Sequence, residues 1–383
     1  MENNQQKKRL KGIYLVPDPL MMKPHFGPSE HIKVGLKELQ KYFDIEILVL
    51  GDYKFLEIKK NSKISKTNKF GIQNGFIGLL RDIKLLLKSN RNTQQLIDEI
   101  SQRGGIDFIY ERGQYLDFRG IKYAKKLGIS HFYEVNWLNF LGIQQFYNSW
   151  FNSIARILEV RAYRNATLNF FVGTQHTLIN LPKEKVYTIQ NGIHEELIQQ
   201  FSNHSNRIGS KIKICFVANL MPHHRFDILV KALNRSTITD KIELHLIGYY
   251  FEKYKGKIPN TLETYFHGAV EKKKLPELLK NYNIGIVTGS PSYSSFMKIF
   301  EYAAFKMAVI CPDLENIKFM FSGKEMIYFN TDSADSLAEV LTSIINNPEQ
   351  IFSYGENIYQ KVKDKYTWEN IYQDIAYQIQ CKI

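Results

Sequence analysis

Cysteine is scarce: three in 383 residues, at Cys215, Cys311 and Cys381, with no CxxC pair and no cluster with histidine. A scattered odd number excludes a disulfide framework and a structural zinc site, and it fits a reducing compartment. Cys215 and Cys311 fall inside apolar runs (IKICFVANL and MAVICPD) and read as small buried hydrophobes. Long apolar runs are lacking too. No window approaches the roughly 18 apolar residues that a membrane span requires. The opening MENNQQKKRLKG is polar and basic, without the apolar centre of a secretory signal. A cytoplasmic protein is expected, at most peripheral on the inner face of the cell membrane. Negative charge is also short: 38 Asp and Glu against 51 Lys and Arg, a formal net charge of +13. The excess is spread thinly, with short clusters at 7–9, 59–66 and 272–274. No zinc finger, RNP motif or basic-region helix accompanies it, so nucleic acid is set aside. A solvated surface or contact with an anionic membrane remains.

What is present is globular: 44% hydrophobic and 23% charged residues, in a chain long enough for two domains. Short β-branched and aromatic runs at 12–16, 45–50, 107–110, 131–135, 168–172 and 186–189 read as strands. Helical patterns lie between them; residues 30–43 place Ile32, Leu36, Leu39 and Phe43 at three- and four-residue spacing. A polar stretch at 195–210 reads as a linker. The alternation then restarts, with strands at 212–217, 242–247, 284–287 and 308–311 and helices at 226–233, 274–281, 296–305, 334–345, 348–363 and 368–380. Such alternation predicts two doubly wound α/β domains with parallel sheets, ligands binding at the carboxyl ends of the strands.

The segment with most chemistry is Ser290-Pro-Ser-Tyr-Ser-Ser-Phe-Met-Lys-Ile-Phe-Glu-Tyr302, between a strand and a helix. A helix N-terminus there offers free N–H groups and a positive dipole end, an anion site suited to a diphosphate. Lys298 in the first turn is unfavourable beside that positive end unless an anion joins it. Glu301, one turn on, could accept both hydrogens of a ribose diol. A serine-rich loop with an ordinary surface Lys–Glu pair is the plainer alternative.

This segment, with its continuation to Asp313, resembles the s-P-x-x-S-P-x-K-l-f-E-Y-m-A-x-G-k-P-V-i-a element of family four of the retaining glycosyltransferases (glycosyl transferases group 1), in its K-l-f-E-Y variant. Further elements of that family are matched in order. They are Phe26-Gly-Pro-Ser-Glu-His31, Lys185-Val-Tyr-Thr-Ile-Gln-Asn-Gly-Ile193, Leu244-His-Leu-Ile-Gly248, Tyr265-Phe-His-Gly268, Lys274-Leu-Pro-Glu-Leu-Leu279 and Lys365-Tyr-Thr-Trp-Glu369. The resemblance implies the GT-B fold, two Rossmann-like doubly wound domains facing a central cleft. Residues 1–200 would bind acceptor, 201–365 would bind nucleotide-sugar, and 366–383 would form a C-terminal helix packing back toward the first domain.

It also implies roles. Gly27 would let backbone approach the donor phosphates. Arg225 stands where the family places a diphosphate-binding basic residue. Lys298, Ser295 and the amides near Phe296 and Met297 would hold phosphate, Glu301 the ribose, and the loop after His267 and Gly268 would border the base. Ile109-Tyr-Glu-Arg112 and Phe132-Tyr-Glu-Val-Asn-Trp137 resemble elements of a subset, making Glu134 and Asn136 candidates for the catalytic cleft, with capping a helix as the alternative. A family histidine would be His131, His25 or His31, which the sequence does not separate. Three departures stand out. Tyr293 occupies the position of the first glutamate of the E-x₇-E motif, Asn219 that of the usual arginine, and Phe305 that of a glycine. The donor implied is a nucleotide-diphosphate sugar, UDP first and GDP second. The acceptor implied is a glycan or lipid-linked glycan of bacterial surface polysaccharide or glycoconjugate assembly.

No metal ligand set is expected, since no DxD pair occurs. Residues 76–87 (FIGLLRDIKLLL), with Arg81, Lys84, Lys88 and Arg91, pair an apolar face with basic residues and suit either an anionic lipid surface or the first sheet. Two rival readings of the whole chain remain: a catalytically silent GT-B subunit that binds glycan or a partner protein, and a nucleotide-sugar epimerase.

Overall fold

The computed structural model describes residues 9–23, 27–50, 71–91, 93–102, 104–141 and 150–383. His25, Phe26, the cluster at 59–66 and the start of the one at 7–9 lie outside the described residues. Two compact units divide the chain: Met1–Ile189 with Tyr372–Ile383, and Gln190–Ile371.

Among the described residues, the first unit is built on six parallel strands: β1 (Lys11–Val16), β2 (Asp44–Val49), β3 (Phe108–Arg112), β4 (Ser130–Val135), β5 (Leu168–Val172) and β6 (Val186–Ile189). They are ordered β2-β1-β3-β4-β5-β6. The central strands are apolar along most of their length because helices cover both faces; every residue of β3 and β5 is buried. Helices Gly71–Arg91 and Asn152–Asn165 share one core cluster, in which Ala155, Ala162, Tyr163 and Phe171 meet Leu79, Leu85 and Leu86. The helix Trp368–Gln380 sends Tyr372 to this unit.

In the second unit β7 (Ile212–Val217), β8 (Ile242–Ile247), β9 (Glu263–Gly268), β10 (Ile284–Ile286), β11 (Ala308–Pro312) and β12 (Ile327–Phe329) are ordered β12-β11-β10-β7-β8-β9, again all parallel. The order reverses between β7 and β10, so the loops after those two strands diverge and leave a crevice at their carboxyl ends. Gly248, after β8, has φ +125°, and a Cβ there would lie 1.9 Å from the Ala218 carbonyl oxygen, so only glycine lets the two strand ends come this close.

Two strands escaped the sequence pattern. β9 alternates exposed and half-buried positions at a sheet edge, and β12 is only three residues long. The polar stretch read as a linker begins with a helix, Glu195–Gln200, of the second unit. Its Ile198 and the following Phe201 are buried in that unit's core, an anchor that surrounding polar residues concealed.

Candidate functional site

The crevice after β7 and β10 gathers the chemistry of the second unit. The helix Met297–Ala304 starts there, behind the loop after β10. Ile299, Phe300 and Tyr302 are buried, and the Tyr302 hydroxyl accepts the Val217 N–H at 3.1 Å, fixing the helix against the end of β7. The opposite face carries Lys298 and Glu301, three residues apart and therefore neighbours. Both are partly buried, and among the described residues neither has a hydrogen-bond or ion-pair partner. Burial lowers the Lys298 ammonium to about 8, with Glu301 opposing the shift. Burial raises the Glu301 carboxyl, and Lys272 and Lys298 draw it back.

Phe296 is the N-cap, with an extended backbone and no side-chain cap. The first-turn amides of Met297 and Lys298 therefore receive no acceptor from the helix or its cap. The preceding loop is held from behind. Ser295 Oγ accepts the Asn191 N–H at 2.8 Å, and the Ser295 carbonyl accepts Asn191 Nδ2 at 3.1 Å. Asn316 Nδ2 donates to the Ser294 carbonyl at 2.7 Å, and Asn316 Oδ1 accepts from Gln190 Nε2. Ser295, expected to hold phosphate, is thus already engaged as a brace of the loop.

Arg225 has a left-handed backbone (φ 47°) and opens the helix Phe226–Arg235. Its aliphatic stem lies where a Cβ on Gly289 would be, at 2.5 Å from its Cγ, so glycine at 289 makes room for it. The guanidinium is paired with Asp227 at 3.3 Å and with Asp332. Beside it, His224 Nδ1 accepts the Met221 N–H at 3.1 Å, which leaves the ring proton on Nε2. Burial and then the Lys298 charge push His224 down to about 3, and they also lower His223. Thr288 Oγ1 donates to the His224 carbonyl at 2.7 Å, tying this turn to the end of β10. Neither histidine stands out in the sequence, because the turn Met-Pro-His-His has no periodicity to mark it. His267 lies on β9, its Nε2 3.0 Å from His245 Nδ1 and 3.4 Å from the Tyr282 hydroxyl. Tyr293 is partly exposed, its hydroxyl raised by burial.

The first unit answers differently. Glu134, near the end of β4, is 2% exposed, and five side chains converge on its carboxylate. Oε1 accepts from Arg112 at 2.5 Å and Asn136 at 2.7 Å. Oε2 accepts from Tyr110 at 2.8 Å, Tyr14 at 3.2 Å and Tyr372 at 3.3 Å. Burial alone would raise this carboxyl, but Arg112, Asn136 and Tyr110 outweigh it and hold it below the ordinary value. His31 also acts on that charge. Gly27 is the first residue of the helix Gly27–Leu39. His131 is buried, with Nε2 2.6 Å from Glu111 Oε2. Burial lowers it to about 3, a neutral interior histidine.

Residues 225–376 match the family model described as glycosyl transferase-like. No curated protein matches the chain by sequence. Among solved structures, Anabaena HepE in complex with UDP and glucose is 13% identical over 97% of this chain and 100% of its own, with a TM-score of 0.62. Sucrose-phosphate synthase from Thermosynechococcus elongatus is 12% identical over 97% of this chain and 99% of its own, at 0.66. A glycosyltransferase from Rickettsia africae is 14% identical over 97% and 99%, at 0.65. Identities this low show the fold, which is GT-B: two parallel-sheet Rossmann-like units. With a glycosyl transferase-like segment across most of its second unit, the chain is a glycosyltransferase-type enzyme.

Proposed function

We propose that the chain is a retaining glycosyltransferase that moves a sugar from a UDP-sugar to a glycan or lipid-linked glycan, in surface polysaccharide or glycoconjugate assembly. The second unit would bind the donor and the first the acceptor. One observation carries the donor reading: Lys298 and Glu301 stand partly buried and, among the described residues, without a hydrogen-bond or ion-pair partner, beside a bare helix N-terminus at the point where the strand order reverses. A desolvated cation next to a positive dipole end costs free energy that an anionic ligand offsets.

UDP in the HepE complex supports the choice of base, and the resemblance to family four supports retention. The acceptor oxygen would bond to the anomeric carbon on the face from which the diphosphate leaves. The bond from that carbon to the phosphate oxygen breaks with its electron pair on the diphosphate, which takes the acceptor's proton. The protein's part is positioning and neutralising the charge that grows on the diphosphate. Lys298, Arg225 and the amides of Met297 and Lys298 would do this without a metal. Glu301 would hold the ribose diol, and Ser295, Phe296, His267 and Gly268 would shape the site.

Tyr293, in place of a carboxylate, favours one rival, a silent subunit that binds without transfer. Thermal shift with UDP, GDP, ADP and CMP, repeated on Glu301→Ala, tests the reading. A rise in melting temperature selective for UDP and lost in the variant is expected. A folded protein that responds to no nucleotide would overturn it in favour of the silent subunit.

A further inference from the structure

Among the described residues, the helix Gly71–Arg91 shows two apolar faces, of which one packs on the core. Leu79 and Leu86, with the buried Asp82, turn inward. Phe76, Leu80, Ile83 and Leu87, spaced by four, three and four residues, form a second stripe that stays between 38% and 54% exposed. The helix Asn152–Asn165 extends this surface. Trp150 meets Phe76 edge-on, with ring centroids 6.4 Å apart, and Ile154 and Ile157 follow on successive turns, Ile157 being 66% exposed. Single exposed apolar residues are common, but a contiguous set on two packed helices marks a docking face.

Charge tells which partner fits. Asp82 and Glu159 are the only acidic residues between 71 and 91 or between 150 and 165, and both are buried. Asp82 is paired with Arg81, and Glu159 caps the Asn139 and Phe140 amides. Among the described residues, the exposed charged side chains of these helices are basic: Lys84 beside the stripe, and Arg156, Arg161 and Arg164 beside Ile154 and Ile157, with Arg156 also reaching the Leu178 carbonyl at 3.5 Å and Arg164 the Asn180 carbonyl at 3.1 Å.

We infer that this face of the first unit docks on an anionic lipid surface, its apolar stripe entering the headgroup boundary and its basic residues meeting lipid phosphates. This deepens the reading above, because it names the surface where a lipid-borne acceptor would be met. Its test does not pass through donor binding.

The test is co-sedimentation of the full chain with vesicles of phosphatidylcholine alone and with phosphatidylglycerol added, over a range of salt. The pair Leu80→Glu with Leu87→Glu and the single change Ile157→Glu are compared with wild type. These positions are exposed, so the variants should melt at the wild-type temperature. The inference expects binding to the anionic vesicles only, weakening with salt and falling about tenfold or more in the paired variant. Wild type that ignores both vesicles, or variants that bind as well as wild type, would overturn it. So would a dimer in sedimentation velocity that the same changes dissociate, which assigns the face to a second copy. Vesicle binding without a UDP response would sink only the donor reading, and a UDP response without vesicle binding only this one.

Discussion

The two units treat their central charged groups in opposite ways. In the first, Glu134 is fully enclosed by Arg112, Asn136 and three tyrosines. In the second, Lys298 and Glu301 have no such partners among the described residues, although both are partly buried. A saturated buried charge holds a structure in shape. An unsatisfied one costs free energy in the empty protein, and a ligand that completes it recovers that cost. We propose from this contrast that Glu134 braces the first unit and that Lys298 and Glu301 bind the donor.

The largest effect that would break this comparison concerns Glu134. Glu134→Ala leaves Arg112 buried without its counter-charge and strips three tyrosine hydroxyls of their acceptor. A loss of about 3–5 kcal/mol in urea-induced unfolding is expected. A variant that keeps wild-type stability yet loses transfer would return Glu134 to the chemistry.

Lys298→Ala should do the reverse. Transfer from a UDP-sugar should drop by about a hundredfold to a thousandfold, the usual consequence of removing one group that stabilises a developing oxyanion. The drop should be the same with EDTA present, while the melting temperature holds or rises. A marked fall in melting temperature would make Lys298 structural and end the contrast.

The smallest effect sharpens it through pH. Lys298 is lowered to about 8 by burial, whereas in the unfolded chain it keeps the ordinary lysine value of about 10.4. Between those values the unfolded chain binds more protons, so this group adds stability as pH rises from about 8 toward 10.4. Donor binding runs the other way, because the diphosphate needs the charged form. UDP affinity, measured by titration calorimetry, should weaken above pH 8 by up to about tenfold per unit. The same titration on Lys298→Ala should be flatter. Equal slopes would place the titrating group elsewhere.

Much of the fold was legible because its signals are local. Strands 168–172, 186–189, 212–217 and 242–247 coincide with β5, β6, β7 and β8, since helices on both faces of a parallel sheet demand continuous apolar runs. That Lys298 and Glu301 lie on one helix face was equally readable, since residues three apart on a helix are neighbours. β9 was not, because an edge strand half open to water carries no such run. The turn holding His223 and His224 was hidden for a similar reason: its shape comes from Thr288 and Gly289, more than sixty residues on, and only contact reveals it.

By itself, the sequence determined the alternation of strands and helices, the place of the bare helix N-terminus, and the excess of basic residues. Each depends on residues within a few positions of one another. Tertiary structure alone decided which charges are spent. Tyr372 reaches Glu134 across 238 residues, and Asn191 reaches Ser295 across 104. It also decided which face of residues 71–91 meets the core and which meets water. Satisfaction and burial belong to sets of groups brought together from distant parts of the chain, and a spacing rule cannot count partners that arrive from elsewhere.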